Sequence, residues 1–144
     1  MEIQVSRIDI ADSDDDIARC CPIMRQLRTH VEEADFVPRV RRQQTAGYQL
    51  AYLEEGGQVR SVTGFRFLEN LAAGRILYVD DLVTDSTCRS QGLGKVLFAW
   101  LVERASREGC RYLELDSGVQ RYDAHRFYLA SRMIISSHHF ALKV

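Results

Sequence analysis

The chain lacks several features that would narrow its function at once. Its four cysteines, Cys20, Cys21, Cys88 and Cys110, form no Cys-x-x-Cys pair, which excludes a zinc knuckle and a thioredoxin-like redox motif. Its 19 basic and 20 acidic residues leave a net charge of −1 without the basic stripe that duplex binding requires, so no nucleic acid partner is expected. No apolar run approaches the ~18 residues of a membrane span, and Met1 to Arg7 carry no hydrophobic signal region. The expectation is a cytoplasmic protein with no membrane partner. His138 and His139 are adjacent on an apparent strand and would point to opposite faces, which argues against a shared metal, so none is expected.

What is present fits one domain spanning residues 1–144, with 46% hydrophobic residues and a core able to bury about 68–70% of the unfolded surface. Residues 3–10 largely alternate apolar and polar, as a half-buried strand does. Ser13 and the acidic Asp14 to Asp16 offer a cap and negative charge for a helix through Ile17, Met24 and Leu27. A second helix is predicted from Ala34 to Ala46, then strands at Tyr48–Glu54, Arg60–Leu68 and Arg75–Thr84 with short turns, an antiparallel meander. Leu93, Val96, Leu97, Trp100, Leu101 and Ala105 trace one face of a helix that Gly109 stops, and Arg111–Asp116 reads as the strand completing a crossover unit. A helix from Arg121 to Ser131 and a strand from Met133 to Val144 close a mixed α/β architecture around a partly antiparallel sheet.

Between the third meander strand and the long helix lies Arg89-Ser90-Gln91-Gly92-Leu93-Gly94-Lys95. Such a junction can hold a phosphate, because glycines admit close backbone approach and the free N–H groups of a helix start face an anion. It is neither a Walker A loop, which needs Gly where Arg89 stands and Ser or Thr where Val96 stands, nor a dinucleotide fingerprint, which needs Gly where Leu97 stands.

Arg-x-x-Gly-x-Gly after a strand resembles the acyl-CoA pyrophosphate loop of the GNAT superfamily of N-acetyltransferases, and the order of elements is similar to that fold along nearly the whole chain. The resemblance implies a mostly antiparallel sheet, about four flanking helices and one parallel strand pair splayed to admit acetyl-CoA. It implies that Leu82, Val83 and Thr84 pair with the pantetheine arm, and that Arg89, Gln91, Gly92, Leu93, Gly94 and Lys95 hold the pyrophosphate. Ala124-His125-Arg126-Phe127-Tyr128 resembles the family segment that presents a tyrosine to the departing coenzyme A, which implies that Tyr128 is the general acid, or a hydrogen-bond donor, for the thiolate. The chain departs from the family pattern at Arg121, where Asn is frequent, and at Arg132 and Met133, where Gly-Phe is frequent.

A primary amine with a pKa near 10.4 is neutral in only about one molecule in a few thousand at pH 7, so transfer needs a proton acceptor. Asp80 and Asp81 precede the loop, and strand alternation implies that one of them faces the amine. The resemblance favours Asp80, whose position is similar to that of the acidic residue in polyamine-acetylating members of the family; Asp81 is the other candidate. Cys88 lies near the loop, but no base stands beside it to activate a covalent route. The segment between the first two helices often walls the acceptor site in the family, and here it contains His30, Glu32, Glu33, Asp35 and Phe36, whose carboxylates would suit a cationic amine. The expected partner is a small-molecule or protein amine, with a homodimer left open. The other reading is a sensor domain that binds acyl-CoA without transfer.

Overall fold

Ser13 starts the first helix as the sequence predicts. A computed structural model describes residues 6–144, and in it the Ser13 side chain accepts from the Asp16 N–H at 3.1 Å to open α1, Asp14–Leu27. Three aspartates in its first turn complement the helix dipole. Ile17, Cys20, Cys21, Ile23 and Met24 form its buried face. Helix α2, Glu33–Gln44, buries Phe36 and Val40.

Strands β1 (Ser6–Ile10), β2 (Gln49–Glu55), β3 (Gln58–Asn70) and β4 (Gly74–Thr84) pair antiparallel in chain order. After β4 a short 3-10 turn, Ser86–Cys88, leads into α3, Leu93–Arg107, and the crossover returns as β5, Tyr112–Leu115, beside β4 in the one parallel pair among the described residues. Period-two alternation sorts β2 into two faces. Leu50 and Tyr52 join Val62, Val83 and the buried residues of α1 and α2. Leu53 faces the other way and packs with Cys88, Leu93 and Ile8. On that side Phe65 meets Trp100 of α3 edge-on at 5.8 Å, so helices cover both faces of the sheet.

The chain divides into two compact units, one ending at Glu114 and the other running from Leu115 to Val144. The second holds α4, Tyr122–Ala130. The predicted strand over Met133–Val144 is not there: Arg132 adopts a left-handed conformation (φ 71°), Met133 N–H donates to the Tyr128 carbonyl at 3.1 Å, and the residues beyond form no ladder. A strand exists only through a partner's hydrogen bonds, and apolar periodicity alone supplies none. Among the described residues, no helix is long and apolar enough to cross a membrane.

Candidate active site

The pleat of β4 breaks where the chemistry was expected. Gly64 of β3 pairs with Asp81 but Phe65 pairs with Val79, so Asp80 is an extra residue in a bulge. The bulge corrects the expectation from alternation, because Asp80 and Asp81 both line one cavity of about 410 Å³. Neither carboxylate stands alone. Arg66 donates through Nε and Nη2 to the two Asp80 oxygens at 3.0 and 2.7 Å. Arg28 Nε donates to Asp81 Oδ1 at 2.8 Å, and the Tyr48 hydroxyl donates to Asp81 Oδ2 at 2.8 Å. Burial, reinforced by the Asp81 charge, pushes the Tyr48 phenol well above its ordinary pKa and keeps it a donor. A second Arg28 bond, Nη2 to the Asp80 carbonyl at 2.8 Å, ties the end of α1 to the bulge.

The rest of the lining differs in sign from the sequence expectation. Phe36 lines the cavity, whereas Glu32, Glu33 and Asp35 are exposed and lie outside its lining. His30 of the same segment also lines it, and its charged neighbours there are Arg28 and Arg39, with Gln43, Tyr48 and Tyr78. Sequence reasoning missed Arg28, Arg39, Tyr48 and Arg66. Two signals were available: Gly64 inside a strand marks a bulge or close approach, and Arg66 is the one charged residue between Val62 and Leu68.

Beyond the bulge, Leu82, Val83 and Thr84 pair with Thr63, Val62 and Ser61 of β3 on one side. β5 is four residues long and enters beside Arg75, where Arg111 N–H donates to the Arg75 carbonyl at 2.8 Å, so the eleven-residue β4 runs on past it. The start of the glycine loop is anchored by α1: Gln26 donates to Asp85 at 3.2 Å and accepts from Ser86 N–H at 2.9 Å. The Thr87 backbone N–H, with Gln26, holds the Asp85 carboxyl below its usual range.

Within the loop Ser90 (φ 71°) and Gly92 (φ 79°) are both left-handed. Gly92 is the N-cap of α3, and no side chain caps the helix, so the first N–H groups of a 15-residue helix keep their donor capacity. A side chain added at Gly92 would meet nothing within 4 Å, so it is the backbone conformation that requires glycine. Arg89, Gln91, Gly92 and Lys95 are exposed, Gly94 is half-buried, and Leu93 is buried against Leu53 and Cys88 and can offer a ligand only its backbone. These features fit an anionic pyrophosphate. Cys88 is buried in that apolar cluster, with its sulfur 3.6 Å from the Thr87 hydroxyl.

Tyr128 is half-buried on α4 and meets Phe127 edge-on at 5.6 Å. His125 Nε2 lies 2.8 Å from the Gly118 carbonyl, a contact that orders the turn before α4. No group of three or more metal-ligating side chains occurs among the described residues.

Comparison with known proteins decides the family. The acetyltransferase (GNAT) family model matches residues 15–131. The chain belongs to the GNAT acetyltransferase family. Within it, this GNAT chain is 36% identical over 117 residues to the uncharacterized N-acetyltransferase YhdJ of Bacillus subtilis (strain 168), covering 81% of this chain and 82% of that protein. A shorter match, 41% identity over 51 residues, covers 35% of this chain and 33% of the aminoalkylphosphonate N-acetyltransferase of Salmonella typhimurium. In fold, the chain is similar to the aminoglycoside N-acetyltransferase AAC(6')-Iy in complex with CoA, with TM-score 0.85, 11% identity and coverage of 100% of this chain and 99% of that one.

Proposed function

We propose that the protein is an acetyl-CoA-dependent N-acetyltransferase acting on a primary amine, its 144 residues working as one domain. One observation carries this reading: β4 delivers two carboxylates to a cavity and leads, through one short turn, into an uncapped helix start. When bound, acetyl-CoA supplies the activated acetyl thioester. The N–H groups from Gly92 to Lys95 then bind its pyrophosphate at the positive end of α3, with Arg89, Gln91 and Lys95 adding side-chain contacts. Leu82, Val83 and Thr84 offer main-chain groups to the pantetheine amides as an added strand would.

In this mechanism the amine lies against the β4 bulge. Asp80 or Asp81 takes its proton, directly or through a water, and the paired arginines orient the carboxylate. A backbone N–H at Leu82 or Val83 stabilises negative charge on the carbonyl oxygen, and Tyr128 donates to the departing sulfur. Direct attack needs no covalent acetyl-enzyme, consistent with the burial of Cys88.

The test is thermal stabilisation by acetyl-CoA against free CoA and ATP, then thiol release with a panel of amines. The panel includes 2-aminoethylphosphonate, since the Salmonella relative is an aminoalkylphosphonate acetyltransferase. Stabilisation by acetyl-CoA together with thiol release from one amine is expected. Stabilisation without release from any amine would mean binding without transfer, and absence of any shift would overturn the proposal.

A further inference from the structure

The cavity at the β4 bulge carries charge of both signs, and the pairing within it is uneven. Asp80 and Asp81 are its two carboxylates, and each is matched by an arginine, Arg66 and Arg28. Arg39 also lines the cavity, half-buried on α2, and no ion pair or hydrogen bond engages its guanidinium among the described residues. Asp35 stands one turn earlier on the same helix, at the spacing that favours pairing, yet no salt bridge joins the two. An arginine stays charged at any working pH, and its planar fork matches carboxylate and phosphate oxygens. His30, exposed on the lining, adds a ring nitrogen.

Counted over Arg28, Arg39, Arg66, Asp80 and Asp81, the neighbourhood holds three positive and two negative groups, and the surplus cation is Arg39. Such a site repels a second ammonium group and attracts an anion, while the bulge still presents carboxylates to one amine. About 410 Å³ is the size of a small-molecule site, which normally uses a few placed polar groups to fix orientation.

We infer that the acceptor is a small primary amine that also carries an anionic group, a phosphonate, phosphate or carboxylate, and that Arg39 binds that group while the amine lies at Asp80 and Asp81. This rests on the acetyltransferase reading above and adds to it the class of acceptor.

The experiment measures initial rates of thiol release at saturating acetyl-CoA for 2-aminoethylphosphonate, O-phosphoethanolamine, β-alanine, propylamine and 1,3-diaminopropane. At least one anionic amine should exceed propylamine and the diamine by about tenfold or more in kcat/KM, mainly through KM. In Arg39→Gln the ratio of anionic to neutral amine should collapse toward one, and Arg39→Lys should restore part of it. Equal or better rates with propylamine or the diamine would overturn the inference and leave the acetyltransferase reading standing. If no amine releases thiol, that reading fails, and the inference is decided by melting temperature with the same amines in the presence of CoA. Stabilisation by the anionic amines alone, lost in Arg39→Gln, supports it; no difference between anionic and neutral amines overturns it.

Discussion

The Tyr48 hydroxyl reaches Asp81 Oδ2 at 2.8 Å across the bare backbone of Gly64, the residue that pairs with Asp81 in the β3–β4 ladder. A methyl group on Gly64 would overlap the Tyr48 phenol and come within 2.5 Å of that same carboxylate oxygen. Gly64→Ala is therefore expected to lower stability by about 1–3 kcal/mol, as overpacking does. It should also raise the KM for the acceptor, since both displaced groups line the cavity. Tyr48→Phe removes the closest atom, so the double variant should lose less stability than the two single losses summed. Urea unfolding of the four proteins tests this; simple additivity would mean that Gly64 acts elsewhere.

Asp80→Asn and Asp81→Asn should separate the roles of two carboxylates that share a cavity. The variant lacking the base should lose about 100-fold or more in kcat at pH 7, keep its acetyl-CoA affinity and recover partly at alkaline pH, where free amine is abundant. Each change also breaks a partly buried ion pair, whose carboxylates are only 22% and 13% exposed at Asp80 and Asp81, at a cost of about 1–3 kcal/mol. pH–rate profiles of both variants decide the assignment, and wild-type rates in both would remove the carboxylates from the mechanism.

At Gly92 the backbone is left-handed and the neighbouring N–H groups are uncapped. Gly92→Asp should weaken acetyl-CoA binding through both strain and charge, while Arg89→Ala should cost only about 1–2 kcal/mol because the backbone donors remain. Calorimetric titration of folded variants checks the order; unchanged affinity in Gly92→Asp would exclude the loop from cofactor binding.

Tyr128→Phe keeps the ring that packs edge-on with Phe127 and deletes only the hydroxyl. Turnover should fall roughly 10- to 1000-fold with little change in melting temperature or acetyl-CoA affinity. Near-wild-type turnover under conditions where chemistry limits the rate would assign Tyr128 to packing.

Burial pushes the Cys20 thiol from 9.0 up to about 12, inside the α1 core. The unfolded chain loses this proton from about pH 9 while the folded protein holds it, so this contribution to stability is complete below pH 9 and is lost as pH rises toward 12. Tyr48 acts with the same sign above about pH 10, the usual range of a phenol. Cys20→Ala should flatten the decline in unfolding free energy between pH 9 and 11, with a single group contributing at most about 1.4 kcal/mol per pH unit. Parallel slopes in variant and wild type would show that Cys20 does not titrate differently on folding.

Local chemistry made most elements legible in the chain: Ser13 with three aspartates opens α1, Gly56-Gly57 turns β2 into β3, and Gly109, at φ 70°, follows the end of α3. Each acts through its own backbone preferences, so a linear reading finds it. The glycine loop was legible for the same reason, and its left-handed Gly92 needs no distant partner. The bulge was decided elsewhere. That Asp80 and Asp81 share one cavity depends on the register of β4 against Gly64 and Phe65, and register belongs to a pair of strands. The charge around the cavity at the β4 bulge likewise assembles Arg28 from the end of α1, Arg39 from α2 and Arg66 from β3, residues brought together only by the packing of helices on the sheet. The tail shows the converse: Met133–Val144 has a strand's composition, but pairing is a tertiary property, and the described residues give it no ladder.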